Sequence, residues 1–173
     1  DVWLIFDSFS AKKEHKYSQW FNFPNKKVAI KNQAIVTTYK ENNLKLQPLK
    51  AVEINIEDSW YSPEYNLKTE SKRATIFKTA TGFTSFISLL YFPDKTNVTY
   101  KKTPVYDRKD KLLTNKDVEA ITLFLDEKEY TLVVNYKSAA IANQFFKVNN
   151  SIVHGEIILL EKDAEKTKVH VIK

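Results

Sequence analysis

Cysteine is absent from this chain, and with it go disulfides, thiolate metal ligands and thiol nucleophiles. That absence leaves the redox compartment open, because a cysteine-free protein works in either. Glycine is almost as scarce, confined to Gly82 and Gly155. Without more of it, no loop can bring a row of backbone N–H groups up to a phosphate, and no Gly-x-Ser-x-Gly elbow exists for a serine hydrolase. Arginine is limited to Arg73 and Arg108, so the formal charge of +6 is a coat of lysines spread along the whole length. Readout of phosphates and bases recruits the planar fork of arginine, and no nucleic-acid partner is expected. An acidic polysaccharide, steered by part of this charge, is the polyanion that remains. No apolar run approaches the roughly 20 residues of a spanning helix, so a membrane partner is not expected either. Nothing at Asp1 resembles a signal peptide. Opening directly on an apolar run, the chain reads as a domain excised from a larger protein or as a mature fragment.

What is present is a succession of short apolar runs. Val2–Phe6 is rich in β-branched and aromatic residues and ends at an acid, as a buried strand does. From His15 to Phe23 the text alternates, with His15, Tyr17, Gln19, Phe21 and Phe23 on one face and Lys16, Ser18, Trp20 and Asn22 on the other. This period suits an antiparallel strand, expected to pair back on the first through a polar connection. Pro24 cannot donate to a ladder and ends it. Further strands are expected at 28–30 and 35–39 around Asn32-Gln33, at 52–56, from Ala74 to a turn at Thr81-Gly82, and from Phe83 to Phe92. In the second half they are expected at 98–106 as an edge, at 120–125 and 130–136 as a hairpin, and at 145–148, 152–160 and 168–172. Residues 138–144 read as turn or irregular.

Strands at spacings of about 8–12 residues with no amphipathic helix between them argue for an all-β fold, a two-sheet antiparallel β-sandwich with little or no helix. One domain over residues 1–173 is expected, large enough to bury about 70% of its unfolded surface without a metal or disulfide. Its core should include Leu4, Phe6, Phe21, Ile54, Phe86, Leu90, Leu123, Leu132, Val134 and Leu159.

Catalytic chemistry is hard to place. His15, His154 and His170 are widely separated and show no ligand spacing, so neither a metal site nor a cofactor is expected. The most informative segment is Trp60-Tyr-Ser-Pro-Glu-Tyr-Asn66. Ser62 before Pro63 is held extended, and Asn66 suits a left-handed turn position. Its aromatics either stack on sugar faces or plug one end of the sandwich.

These stretches together carry a resemblance. A strand ending in Asp7, then His15-x-Tyr17 running to Phe21-x-Phe23-Pro24, then Trp60, Ser62, Tyr65 and Asn66 in order, then Leu89-Leu90 shortly before Pro93, resembles the C-terminal β-sandwich of heparinase II/III-like polysaccharide lyases. Asn66 stands where the family has glycine, one residue more precedes Pro93, and Asn22 stands where many members carry a second histidine. The second half of the chain matches only as generic strands. The resemblance implies a parent enzyme that cleaves uronate-containing polysaccharide by β-elimination, with a base, an assisting tyrosine and neutralisation of the carboxylate. It places the catalytic and metal-binding groups in an upstream α-helical toroid and a His-rich segment, neither of which is in this sequence. The chain alone would then be inactive, would have that toroid as partner, and would brace or line the cleft. His15, Tyr17, Trp60 and Tyr65 are the residues it offers for substrate contact. The alternative is a free-standing carbohydrate-binding or adhesive β-sandwich module.

Overall fold

The computed structural model describes residues 1–136, 145–163 and 166–172. Among them the chain is all-β, with no helix and every ladder antiparallel. The irregular segment expected at 138–144 lies outside the described residues. Where the sequence suggested a single domain, the chain divides into two compact units, Asp1–Thr96 and Asn97–Lys173. Strand pairing explains the division, since each of the three sheets is completed within one unit. No proline-, glycine- or serine-rich linker marks this boundary, which falls just after the turn at Pro93.

The first unit is one six-stranded sheet: β1 (Val2–Phe23), β2 (Val28–Lys31), β3 (Ala34–Thr37), β4 (Lys45–Pro48), β5 (Glu53–Tyr61) and β6 (Thr69–Tyr91). The hairpin expected between Val2–Phe6 and His15–Phe23 does not form. Both arms belong to the single strand β1, and both pair with β6, which likewise runs straight through the turn expected at Thr81-Gly82. Lys12, Lys13 and Glu14, which read as a loop, bulge out opposite Thr81 between the pairs Ala11↔Gly82 and His15↔Ala80. Gly82 sits at φ +78°, a left-handed conformation that glycine adopts without strain. A bulge of this kind bends a ladder, and here it doubles the sheet over. Ahead of the bend, at Thr69–Phe77, β6 is flanked by β5 on the side away from β1; after the bend, at Ser88–Tyr91, the same side takes β4.

The doubled layers enclose Phe23, Ile35, Leu46, Ala74, Ile76 and Phe86, drawn from both sides of the bend. Across the bend, Phe9 stacks on Tyr17 at 4.9 Å between ring centroids, and its ring meets Phe86 edge-on at 6.0 Å. A polar fastening accompanies them: Gln19, 8% exposed, donates from Nε2 to Asp7 Oδ2 at 2.5 Å and accepts from Ser88 Oγ at 3.4 Å. The Asn32-Gln33 turn forms as expected, with both residues at positive φ (49° and 58°), as a two-residue hairpin turn requires.

The second unit is a sandwich of two separate sheets. The five-stranded sheet contains β7 (Val98–Thr103), β9 (Val118–Leu125), β10 (Lys128–Asn135), β13 (Ile157–Lys162) and β14 (Thr167–Val171) in the order β14-β13-β10-β9-β7. The three-stranded sheet is β12 (Ser151–Val153), β11 (Phe146–Val148) and β8 (Val105–Tyr106). Val118, Ala120, Val133, Ile158 and Leu160 from one sheet pack on Val105, Phe146, Val148 and Val153 from the other. Pro104 separates β7 from β8, and β7 is an edge strand as its lysines suggested.

The expected core is partly rephased. Phe86 and Leu123 are buried, and Phe21, Ile54 and Leu90 are partly buried against the first unit's cluster. Leu4 and Phe6 are half-buried. Leu132, Val134 and Leu159 are also half-buried, because they occupy the face of the larger sheet that turns away from the smaller one. The inward positions belong instead to Thr131, Val133 and Asn135 on β10 and to Ile158 and Leu160 on β13. Polar residues fit inside because they bond one another: the hydroxyl of Thr122 lies 2.5 Å from that of Thr103 and 2.8 Å from that of Thr131.

Candidate functional site

Pro24 takes β1 out of the sheet after Phe23↔Lys72, while β5 and β6 continue as a two-stranded ribbon through Ser59↔Ser71, Trp60↔Glu70 and Tyr61↔Thr69. Asp58 to Tyr61, beyond the strand expected at 52–56, are thus the last residues of β5. The step where β1 leaves forms a groove of about 400 Å³ bordered by Asn22, Phe23, Pro24, Trp60, Tyr61 and Arg73. Large aromatic side chains stand out of this end of the unit: Trp20 is 67% exposed, Trp60 58%, Tyr61 45% and Tyr65 94%. Aromatic residues of this size usually bury most of their surface, and four at one end of one sheet, with Trp20 and Tyr61 on one face and Trp60 on the other, form a two-sided platform rather than a core.

Cations accompany the aromatics on both faces of this end, Arg73 beside Trp20 on one and Lys68 over Trp60 on the other. Arg73 lies across the ladder from Asn22 and Glu57. Its Nε donates to Asn22 Oδ1 at 3.2 Å, its Nη1 is 3.7 Å from Glu57 Oε1, and its Cζ is 5.5 Å from the centre of the Trp20 ring. The guanidinium is oriented from three sides yet remains accessible. Lys68 holds its ammonium 4.0 Å from the Trp60 ring centre, a cation–π contact. On the face that Trp60 shares with its cross-strand partner Glu70, Lys72 pairs with Asp58 at 2.9 Å and Lys26 with Glu70. The hydrogen bond from Lys72 holds the Asp58 carboxyl below its ordinary value, and the one that Lys26 donates to Glu70 raises Lys26.

The ribbon's loop is ordered locally. Ser62 Oγ donates to the Glu64 carbonyl at 2.9 Å, and the Leu67 N–H donates to the same carbonyl at 3.2 Å. Asn66 has φ 62°, the left-handed position expected for it. Trp60 and Tyr65 therefore belong to one end of the unit.

His15 and Tyr17 do not join them. They flank the bend, opposite Ala80 and Lys78 of β6, whereas Trp60 is opposite Glu70. The path along β6 from Glu70 to Ala80 is roughly 33 Å at about 3.3 Å per residue. Tyr17 is committed to packing against Phe9, and its hydroxyl is buried without a hydrogen-bond partner. His15 is exposed at the bulge, its ring 6.1 Å from that of Tyr17. In the second unit His154 stacks on Phe145 at 5.3 Å and His170 stands exposed on β14, 3.8 Å from Glu161. Among the described residues no three of His, Asp and Glu are grouped to hold a metal ion.

Trp20, Tyr61 and Arg73 were not singled out by motif. Trp20 carries a signal nonetheless: the alternation of the second arm puts it on the polar face with Lys16, Ser18 and Asn22, where a tryptophan has no core to join. Arg73 gives no such sign, since its place beside Asn22 depends on the β1–β6 register. No protein-family model, curated protein or solved structure matches this chain.

Proposed function

We propose that the chain is a non-catalytic β-module that holds an acidic polysaccharide at the ribbon end of its first unit, as part of a heparinase II/III-like lyase whose cleft it lines. The observation that carries this reading is the exposed aromatic platform of Trp20, Trp60, Tyr61 and Tyr65, with Arg73 beside Trp20 on one face of the ribbon end and Lys68 over Trp60 on the other. Flat aromatic faces suit the C–H faces of sugar rings, and the cations suit the carboxylates those rings bear. The motif residues Trp60, Ser62, Tyr65 and Asn66, on which the family resemblance rests, form this same end. The distance along β6 between His15 and the platform favours binding over bond cleavage, because an imidazole that remote cannot act on a sugar held at Trp60.

Calorimetric titration with a uronate oligosaccharide tests the proposal. Trp60→Ala and Trp20→Ala should each weaken binding by about tenfold or more, the scale of a central aromatic contact. Ultraviolet absorbance from an unsaturated uronate product should not rise with this chain alone. Absence of binding, or turnover that His15→Ala abolishes, would sink the proposal.

A further inference from the structure

The second unit has a polar recess that none of the foregoing uses. The two-residue turn between β11 and β12 overhangs the inward face of the larger sheet and closes a cavity of about 80 Å³ lined by Glu129, Thr131, Asn149, Ser151, Leu160 and Lys162. Register brings four of these together: Glu129 is opposite Lys162 and Thr131 opposite Leu160, all on the inward face. Asn149, at φ 52°, extends its amide over them, with Nδ2 3.3 Å from Thr131 Oγ1 and 3.4 Å from Glu129 Oε1. Thr131 and Leu160 are the deepest members, 1% and 3% exposed.

The charges in this recess oppose each other. Glu129 Oε2 and Lys162 Nζ stand 4.0 Å apart, close enough to compensate and too far for a tight hydrogen bond. An isolated anion would meet Glu129, and an isolated cation would meet Lys162. A neutral group that both donates and accepts suits the pair better. The remaining polar lining has the same dual character, an amide and hydroxyls, while Leu160 offers an apolar surface beside them. The volume holds a few water molecules or the edge of one small molecule, not a polymer chain.

We propose that this recess binds the vicinal-diol edge of a neutral sugar or small polyol, with Glu129 accepting, Lys162 and Asn149 donating, and the C–H edge against Leu160. The proposal is independent of the groove in the first unit.

The test is amide chemical-shift titration of the full chain with glucose and sorbitol, with acetate and ammonium chloride as charged controls. Saturable shifts are expected at Thr131, Asn149, Asn150 and Ser151 with the two neutral probes, and none with the ions. Glu129→Gln should weaken binding about tenfold, the scale of a lost hydrogen bond to a charged group. Asn149→Gly should weaken it while leaving the turn intact, because glycine accepts the same positive φ. Lack of saturable shifts, equal binding of acetate or ammonium, or unchanged affinity in both variants would overturn the proposal.

Discussion

The first unit makes its two layers from one sheet, and the second makes them from two. In the first, β1 and β6 run through both layers, so the backbone itself carries the doubling and needs a device at the crease. Gly82 and the bulged Lys12–Glu14 supply it. Away from the crease β1 leaves the sheet at Pro24 and β6 continues with β5 as a ribbon, and the exposed aromatics are at this end. In the second unit no strand among the described residues is shared between layers, and packed side chains hold them together. Its larger sheet can admit a ladder of threonine hydroxyls, and its end is closed by a turn over a polar recess. Two antiparallel units thus offer different surfaces: an open, aromatic, cationic edge and a small, compensated pocket.

The sharpest way to break this comparison is in the cores. Phe86→Ala removes a side chain that is 1% exposed and packed by Phe9, and should cost about 3–5 kcal/mol in chemical denaturation. Ile158→Ala, in the centre of the sandwich, should cost about 2–5 kcal/mol. A near-neutral Phe86→Ala would mean that the first unit's sheet is not doubled around that ring. Next comes the ladder. Thr122→Val leaves two buried hydroxyls short of a partner and should cost about 1–3 kcal/mol, most of it recovered when Thr103 and Thr131 are also made valine. A triple variant worse than the single one would show that the hydroxyls stabilise the sandwich outright.

The crease should respond more mildly. A Cβ on Gly82 meets nothing within 4 Å, so Gly82→Ala carries only the left-handed penalty, about 1–2 kcal/mol. Gly82→Asn should cost less, and equal costs for the two would place the penalty elsewhere. The smallest effect concerns Asp107 in the second unit, whose Oδ1 accepts from the N–H groups of Lys111 at 2.9 Å and Lys109 at 2.8 Å. The bond from Lys111, with help from that of Lys109, lowers its carboxyl below the ordinary 3.8. Because the folded value is the lower one, its stabilisation is present above the ordinary carboxylate value and is lost as pH falls through the lowered one. Asp107→Asn should therefore be less stable than wild type at neutral pH and equal to it in strong acid, as followed by thermal melts; a gap that persists in acid contradicts the assignment.

Much of this was legible in the residues. Alternation and turn chemistry gave the strands, and Asn32, Asn66 and Asn149 occupy the left-handed positions that asparagine in place of glycine implies. What stayed hidden depends on partners distant in sequence. Lys12–Glu14 and Thr81-Gly82 each look like a turn, and only their facing each other across β1 and β6 converts two turns into one crease. The β9–β10 hairpin is apolar on both faces, so its inward side could not be chosen from period alone, and the threonines that occupy it look like solvent residues until their hydroxyls meet. Trp60 was legible as part of the site, whereas Arg73 became part of it through a register that brings it to Asn22.

The aromatic platform is tested most directly by the chain's own three tryptophans. Trp60 borders the groove and Trp20 lies against its Arg73, while Trp3 is opposite Leu90 on the far part of β6 and packs edge-on against Phe92. Indole N–H resonances, assigned by single Trp→Phe variants, can be followed while a uronate tetrasaccharide is added. The account predicts that the Trp20 and Trp60 resonances move together and saturate at one ligand concentration while Trp3 stays fixed. Three unmoved resonances, or a Trp3 that moves as far as the other two, would contradict it.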